Sequence, residues 1–434
     1  MNDAPAAPQE HRAVTSSNKI KKGAVTQFSR SPSVVSVCFA SPRLRGNCCS
    51  PILSRPSLPH FTSMPYSRIS IVGLGEAGYE MHLPGLAKMR GVEVVGACDI
   101  DAARRQRVKE KWNPPLFDDY ESMLDQARPD VLIVATPPDT HAQVCLAAIE
   151  RGVDIICEKP FVSTLAEADE VMAAASSAGK QIALNHEFRE MPIFRAVLDS
   201  AGPASGEEVF FAQVWQNTDV APWTEPGWRR EMQRRTLHEA GVHLIDYVIA
   251  LFGEKPVAVW ASMSSGGGTE NRADALSVVS LEFTRGRVAQ VLQNRLCKGE
   301  TQYFEVRADT RTSSYRASFG GRARVTAGLY RSTSPHLRFD YGVSGLAWKE
   351  QGNARKLLAR NPADPRVVAT RYVLEKSLAA FASRAKPPAS AQDARDSLEV
   401  IDACYSAAVT GRRTTIGQLD SSKRHESVAS ATVS

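Results

Sequence analysis

Three side chains in this sequence have the types and spacing to move a proton: Glu239 and His243 in RTLHEAGVHLIDYVIALFG, and Lys159 in VDIICEKP. Residues four apart share one face of a helix, one turn from each other. A carboxylate beside an imidazole fixes its tautomer and stabilises the imidazolium, which suits a general base near neutral pH. His238 and Asp246 flank the pair, and the same spacing also describes an ordinary surface pair. Lys159 ends an apolar run and precedes a proline, where an ammonium could offset charge developing on a substrate hydroxyl; its other reading is a solvated strand-end lysine. The Lys159-Pro160 bond is a candidate cis peptide, because tertiary amides adopt that form at small cost in tight turns.

These groups need elements to carry them, and the stretch Arg68 to Asp99 supplies a strand, a turn, a helix and a second strand in about thirty residues, a βαβ length. Ile69 to Val72 is a short apolar, β-branched run, and Gly73, Gly75 and Gly78 follow at G-x-G-x-x-G spacing. The first glycine permits a tight turn, the second lets backbone approach a pyrophosphate, and the third lets helix pack on strand. Asp99, about twenty residues on at the end of Val92 to Cys98, suits the ribose hydroxyls of a dinucleotide. Buried strands then recur at Asp130 to Ala135, ending in TPPDTH, at Val153 to Cys157, ending in EKP, and at Gln181 to Asn185, leading into NHEFRE. Strand C-termini are where such sheets bind ligands. The turn with Glu76 and Ala77, Asp99, Thr136, Pro137 and His141 of TPPDTH, and Glu158 and Lys159 are therefore expected to line one crevice and hold the cofactor. His141 has a second reading as a structural residue at a helix start.

Past Asn185 the period changes. Alternating segments at Glu207 to Gln216, Val257 to Met263, Leu276 to Phe283, Val288 to Arg295 and Tyr303 to Arg307 read as one antiparallel sheet, interrupted by a helix over Arg235 to Leu251. Residues 309–366 read as loops with short strands, and helices over Arg371 to Ala385 and Ala391 to Thr410 close this second domain. Trp215, Asn217, Trp223, Trp228 and Arg229 cluster before Glu239 and would line a polyol pocket or belong to the core. The fold class is thus α/β: a doubly wound parallel sheet, then an α+β domain on a large, mostly antiparallel open sheet. An open face of that size calls for cover, and a homodimer or homotetramer through it is expected.

The expected organisation is a disordered leader over 1–63, a dinucleotide-binding domain over 64–187, a substrate-binding and oligomerisation domain over 188–417, and a polar tail over 418–434. Met64 stands just before the first strand, and translation is expected to begin near it. The leader holds eight Lys/Arg against Asp3 and Glu10, which accounts for the whole net charge of +6. The remainder is neutral and does not advertise nucleic-acid or membrane binding. The eight cysteines show neither metal nor redox spacing, which reads as buried thiols in a reducing, cytoplasmic setting. No metal site is expected: the second histidine of H-E-x-x-H is missing, as are a G-x-S-x-G elbow and a phosphate-binding G-x-x-x-x-G-K-[ST] loop.

Taken together, IVGLGEAGYEMHLPGL, GACDID, VATPPDTHAQVCLAAIERGVDIICEKP, NHEFRE, EAGVHLID and DARDSLEVIDACYSAAVTGRR resemble the glucose-fructose oxidoreductase / inositol dehydrogenase / rhizopine catabolism (Gfo/Idh/MocA) family over about Tyr66 to Thr415. The resemblance implies NAD(P)-dependent oxidation or reduction of a sugar, cyclitol or related alcohol. The family's E-K-P lysine falls on Lys159, the histidine of its D-x-x-x-H helix on His243, and the acid of that helix on Glu239, one methylene longer than the family's Asp. Asn185, Trp228, Arg229 and His243 are the expected substrate contacts. NAD is the expected cofactor, because a carboxylate at Asp99 repels a 2′-phosphate, with NADP the alternative that Arg104 and Arg105 keep open. Two other activities stay open: a redox-silent dinucleotide-binding sensor, which accounts for Glu239, and a hydrolase that breaks glycosidic bonds through a transient oxidation by bound NAD.

Overall fold

The computed structural model describes residues 68–267, 273–299, 302–320, 324–329, 335–340 and 345–417. The expected leader and tail lie outside these residues. The first sheet contains β1 (Arg68–Val72), β2 (Glu93–Cys98), β3 (Leu116–Phe117), β4 (Val131–Val134), β5 (Asp154–Cys157) and β6 (Ile182–Leu184) in the order β3-β2-β1-β4-β5-β6, with every pair parallel. The order reverses between β1 and β4, so a crevice opens at their C-terminal ends. β4 and β5 are buried along their whole length, as continuous apolar strands covered on both faces must be.

After the glycine turn comes a π-helical turn, Gly78–His82, and a short helix α1 (Leu83–Leu86). The chain then forms α2 (Ala102–Trp112), α3 (Tyr120–Ala127), α4 (His141–Glu150) and α5 (Leu165–Ser177). Asp101 and Asp119 cap α2 and α3 by accepting from backbone N–H groups, and Thr164 with Glu167 forms a capping box on α5.

The second sheet has nine strands in the order β16-β15-β12-β11-β7-β10-β9-β8-β17. They are β7 (Val209–Asn217), β8 (Ala258–Ser264), β9 (Leu276–Glu282), β10 (Val288–Asn294), β11 (Gln302–Thr310), β12 (Ser314–Phe319), β15 (Leu346–Gln351), β16 (Ala354–Arg360) and β17 (Thr414–Thr415). Between β12 and β15, β13 (Arg324–Leu329) and β14 (Pro335–Asp340) pair with each other. The sheet is mostly antiparallel, as expected, but its centre is not: β7 and β10 run parallel from Phe211↔Val288 to Asn217↔Asn294. Much of 309–366, expected as loops with short strands, is regular sheet. Its alternation is masked by small and polar residues, as in β12, where Tyr315 and Ala317 are buried between Ser314, Arg316 and Ser318.

One face of this sheet is covered by α6 (Pro192–Ala201), α8 (Val242–Phe252) and part of α10 (Ala391–Thr410), which share a core with Ala212, Val214, Val291 and Val306. The other face presents Trp260 and Val278, about half exposed. The helix α9 (Pro365–Ser383) serves both sheets: Ala369 joins the core of the second, while Leu374, Leu378 and Phe381 share a core with Ile69, Ile71, Ala97 and Ile133 of the first.

Candidate active site

The glycine turn divides its labour. Gly73 has φ +91°, and a Cβ on it would lie 2.3 Å from the carbonyl oxygen of Ala135; one on Gly78 would lie 2.1 Å from the carbonyl oxygen of Gly73. These two glycines are demanded by the chain itself. A Cβ on Gly75 would meet only the Arg104 guanidinium, at 3.8 Å. That open approach is the one a dinucleotide pyrophosphate requires, so the turn fits NAD.

Asp99 holds the turn from below: Oδ2 accepts from Leu74 N at 2.8 Å and Oδ1 from Asp101 N at 2.9 Å, with Arg104 Nη1 3.4 Å from Oδ2. Glu76 is exposed and lies 3.7 Å from Arg366 at the start of α9, and Ala77 is half-buried. Thr136 and Pro137 are half-buried, with the Thr136 hydroxyl accepting from Thr140 at 2.7 Å.

Three of the expected ligand contacts are buried. His141 is fully buried, with Nδ1 3.0 Å from the carbonyls of Pro160 and Phe161 and Nε2 2.8 Å from that of Thr136. Burial holds its pKa below the ordinary imidazole value, and the ring ties three backbone carbonyls together. It pins the TPPDTH turn to the segment after the Lys159-Pro160 bond, which is cis. Glu158 and Asn185 are likewise inside the protein: Glu158 Oε1 lies 2.7 Å from His82 Nε2 and accepts from Asn185 Nδ2 at 2.6 Å. Burial would raise the Glu158 carboxyl, but the hydrogen bond and charge of His82, the Asn185 amide and the Lys159 charge hold it below its ordinary value. The other Glu158 oxygen, Oε2, accepts from the Lys159 backbone N–H at 3.2 Å.

Lys159 leaves the end of β5 and reaches the second half of the chain, where Nζ donates to Glu239 O at 3.2 Å and lies 3.6 Å from Glu239 Oε1. Its side chain is largely buried. Burial would lower its pKa, but the carboxylates of Glu239, Glu187 and Glu158 raise it above the ordinary lysine value, so the ammonium stays charged.

Glu239 is not paired with His243, contrary to the i, i+4 expectation. Thr236–Ala240 is a π-turn closed by Gly241 N to Thr236 O at 2.8 Å, and the wider turn breaks the α-helical register between residues 239 and 243. The Glu239 carboxylate accepts from Arg235 and lies 3.4 Å from Arg229 Nε and 3.6 Å from Lys159. Burial alone would raise it, yet Lys159, Arg235 and Arg229 hold it well below the usual carboxylate range. Asp274 fixes the turn by accepting from the backbone of Arg235, Thr236 and Leu237. Arg229 in turn lies 4.6 Å over the Trp228 ring, so both expected aromatic and cationic substrate contacts stand on the Glu239 side of the site. The side chain of Trp223 lies outside the described residues.

His243 faces Glu187, which the sequence reading did not single out: Nδ1 is 3.7 Å from Glu187 Oε2. Burial and the charges of Lys159 and His186 keep the His243 ring well below its ordinary pKa, hence neutral. Burial and the neighbouring Glu158 push the Glu187 carboxyl up to about 8, with Lys159 opposing. The available signal was position, because Glu187 follows the C-terminal end of β6, on the ligand side of the sheet. Tyr303 and Arg366 were also missed; both act electrostatically on this group, from β11 and from α9.

Folded, Glu187 keeps its proton to about pH 8, whereas an unfolded glutamate releases it near the ordinary value of 4.5. The folded chain binds more protons between those limits, so this residue's contribution to stability is lost as pH rises through the window. Glu187→Gln is therefore expected to stabilise the protein by roughly 2 to 4 kcal/mol near pH 9 and hardly at all near pH 5. Urea midpoints of both proteins at the two pH values check this.

Among the described residues, no three His, Cys, Asp or Glu side chains converge to hold a metal, and no helix is long and apolar enough to cross a membrane. Cys98, Cys145, Cys157 and Cys404 are buried free thiols, and Cys297 is half-buried.

Against known proteins, residues 67–186 match the model described as an oxidoreductase family with an NAD-binding Rossmann fold, and residues 207–313 match the GFO/IDH/MocA C-terminal domain. The chain is 27% identical over 174 residues to a D-apiose dehydrogenase of Paraburkholderia graminis, covering 40% of this chain and 46% of that protein. It is 28% identical over 200 residues to the D-glucoside 3-dehydrogenase of Escherichia coli, covering 44% and 55%. The matches thus span about half the length of these curated relatives. A crystal structure of an oxidoreductase from Agrobacterium radiobacter in complex with NAD+, L-tartaric acid and magnesium shares the fold, with TM-score 0.67 and 16% identity over 81% of this chain and 99% of that one. The chain belongs to the Gfo/Idh/MocA family of oxidoreductases and carries its NAD-binding Rossmann fold.

Proposed function

We propose that this protein is an NAD-dependent oxidoreductase that interconverts a hydroxyl-bearing carbon and a carbonyl in a sugar, cyclitol or related polyol. The observation that carries the reading is the reach of Lys159 from the end of β5 to Glu239, 3.2 Å from Nζ to the carbonyl oxygen, which joins the dinucleotide crevice to the segment leading into His243. Gly75 and the helix start at Glu76 would hold the pyrophosphate, and Asp99 the adenine ribose. Bound NAD would supply the hydride acceptor.

The protein's own residues then handle the proton and the charge. Lys159, kept charged by Glu239, Glu187 and Glu158, would hold the substrate oxygen and offset the negative charge that builds on it. His243, kept neutral by burial and by Lys159, has a nitrogen free to take the hydroxyl proton. Trp228 and Arg229 would present a flat apolar face and hydrogen-bond donors to a polyol. The names of the two relatives, a D-apiose dehydrogenase and a D-glucoside 3-dehydrogenase, support a sugar-like substrate.

The test is a panel of sugars, cyclitols and polyols with NAD+, followed by NADH formation, alongside a chromogenic glycoside. Turnover with a polyol is the expected result. NADH binding without turnover on any member would leave a redox-silent sensor, and glycoside cleavage without net NADH would leave the hydrolase. Asp99 is expected to favour NAD over NADP, and tighter NADPH than NADH binding in a fluorescence titration would overturn that preference. The open sheet face bearing Trp260 and Val278 supports assembly as a homodimer or homotetramer. The buried free thiols support work in a reducing compartment, the cytoplasm.

A further inference from the structure

We propose that Glu187 is the positioning residue of His243: its carboxyl meets Nδ1 and, by holding or releasing one proton, selects which imidazole tautomer faces the substrate. The inference deepens the reading of His243 as the proton acceptor and rests on it.

Two buried atoms carry it. Glu187 Oε2 and His243 Nδ1 both lack a hydrogen-bond partner, both belong to residues more than nine-tenths buried, and they stand 3.7 Å apart. Buried polar atoms are rarely left unpaired, so two that face each other are unlike the ordinary interior. An approach of less than about 1 Å makes the hydrogen bond. The neighbouring Phe188 sets the ring against its partner. Its ring meets His243 edge-on at 4.7 Å and is itself wedged against Phe194 and Phe304 at 5.7 and 4.8 Å. The role expected of Glu239 cannot be played from its position, since Lys159, Arg235 and Arg229 surround that carboxylate.

The groups around Glu187 oppose one another. Glu158 at the end of β5, with burial, favours the protonated acid, while Lys159 beside it and Arg366 of α9 favour the carboxylate. Tyr303 of β11, His243 of α8 and His186, whose ring lies 6.3 Å from that of His243, also belong to the surroundings. The result is a carboxyl that changes state near pH 8, beside a ring that stays neutral.

Each state dictates a tautomer. The protonated acid donates to Nδ1, which places the ring proton on Nε2, ready to be given to a carbonyl. The carboxylate accepts from Nδ1–H, which leaves the Nε2 lone pair to take a hydroxyl proton. In the oxidising direction the alcohol O–H bond breaks toward Nε2, the Nδ1 proton passes to Glu187 Oε2, and the carboxylate becomes the acid. The carbinol C–H electron pair leaves as hydride to the NAD+ of the proposed reaction. The imidazole ends neutral, as it began.

The test is nitrogen NMR of protein labelled at histidine, with His243 identified by the signal lost in His243→Asn. In the ligand-free wild type, the expected result is a change from the Nε2–H to the Nδ1–H pattern with a midpoint near pH 8 and no imidazolium. Glu187→Gln should abolish the change, and Glu187→Asp should restore it at a displaced midpoint. A wild-type ring that keeps one tautomer throughout, that titrates as an ordinary imidazole, or that still switches in Glu187→Gln would overturn the proposal. If Glu187→Gln fails to fold, the wild-type and Glu187→Asp titrations decide alone. This measurement needs no substrate, so it stands even if the oxidoreductase reading fails. Where turnover is found, kcat/KM for oxidation should fall about tenfold from pH 9 to pH 7 in the wild type, following the ionised fraction of a group at about 8, and stay flat in Glu187→Gln.

Discussion

Replacing His243 by alanine is expected to slow oxidation of the substrate by about 10²- to 10⁴-fold, the usual worth of one general base. NADH affinity should hardly change, because the glycine turn follows β1 and the imidazole stands on α8. Steady-state rates paired with a fluorescence titration separate the two quantities. Since the ring sits edge-on against Phe188 at 4.7 Å, thermal unfolding should be followed in parallel, so that a packing defect is distinguished from a chemical one. Unchanged turnover in a folded, NADH-binding variant would remove His243 from the mechanism.

Alanine at Gly73 and at Gly75 should have opposite signatures. At Gly73 the added Cβ meets a positive φ and the Ala135 carbonyl at 2.3 Å, so strain and overpacking together cost on the order of 2 to 6 kcal/mol. Marginal stability makes that enough to unfold much of the protein. At Gly75 nothing but the end of Arg104 lies within 4 Å, so the fold should hold. What is lost there is the close approach of backbone N–H groups to phosphate, about 10- to 100-fold in NADH affinity if one charge-assisted hydrogen bond goes. Wild-type affinity in Gly75→Ala would mean that the pyrophosphate lies elsewhere.

The first sheet was readable in the sequence because its physics is local. Ile69 to Val72, Asp130 to Ala135 and Val153 to Cys157 are apolar runs that only a doubly covered strand accommodates, and each ends in a turn of recognisable chemistry. What failed was geometry that depends on distant partners. An α-helical register was assumed between Glu239 and His243, and the π-turn that breaks it is fixed by Asp274, a residue some forty positions away. Glu187 looked like any acid in a polar stretch until the fold set it against His243. The parallel pairing of β7 with β10 cannot be read from alternation, which reports faces and not neighbours. The periodicity of α9 likewise announces a buried side without saying what buries it.

That last helix ties the order of synthesis to the order of folding. Ribosomes add about 5 to 20 residues per second, so the roughly 180 residues between β6 and α9 correspond to about 10 to 40 seconds during which Ile69, Ile71 and Ile133 wait for Leu374 and Phe381. Over that interval the nascent sheet is an apolar surface of the kind chaperones hold. A chain released before α9 is made should aggregate rather than survive as an independent dinucleotide-binding fragment.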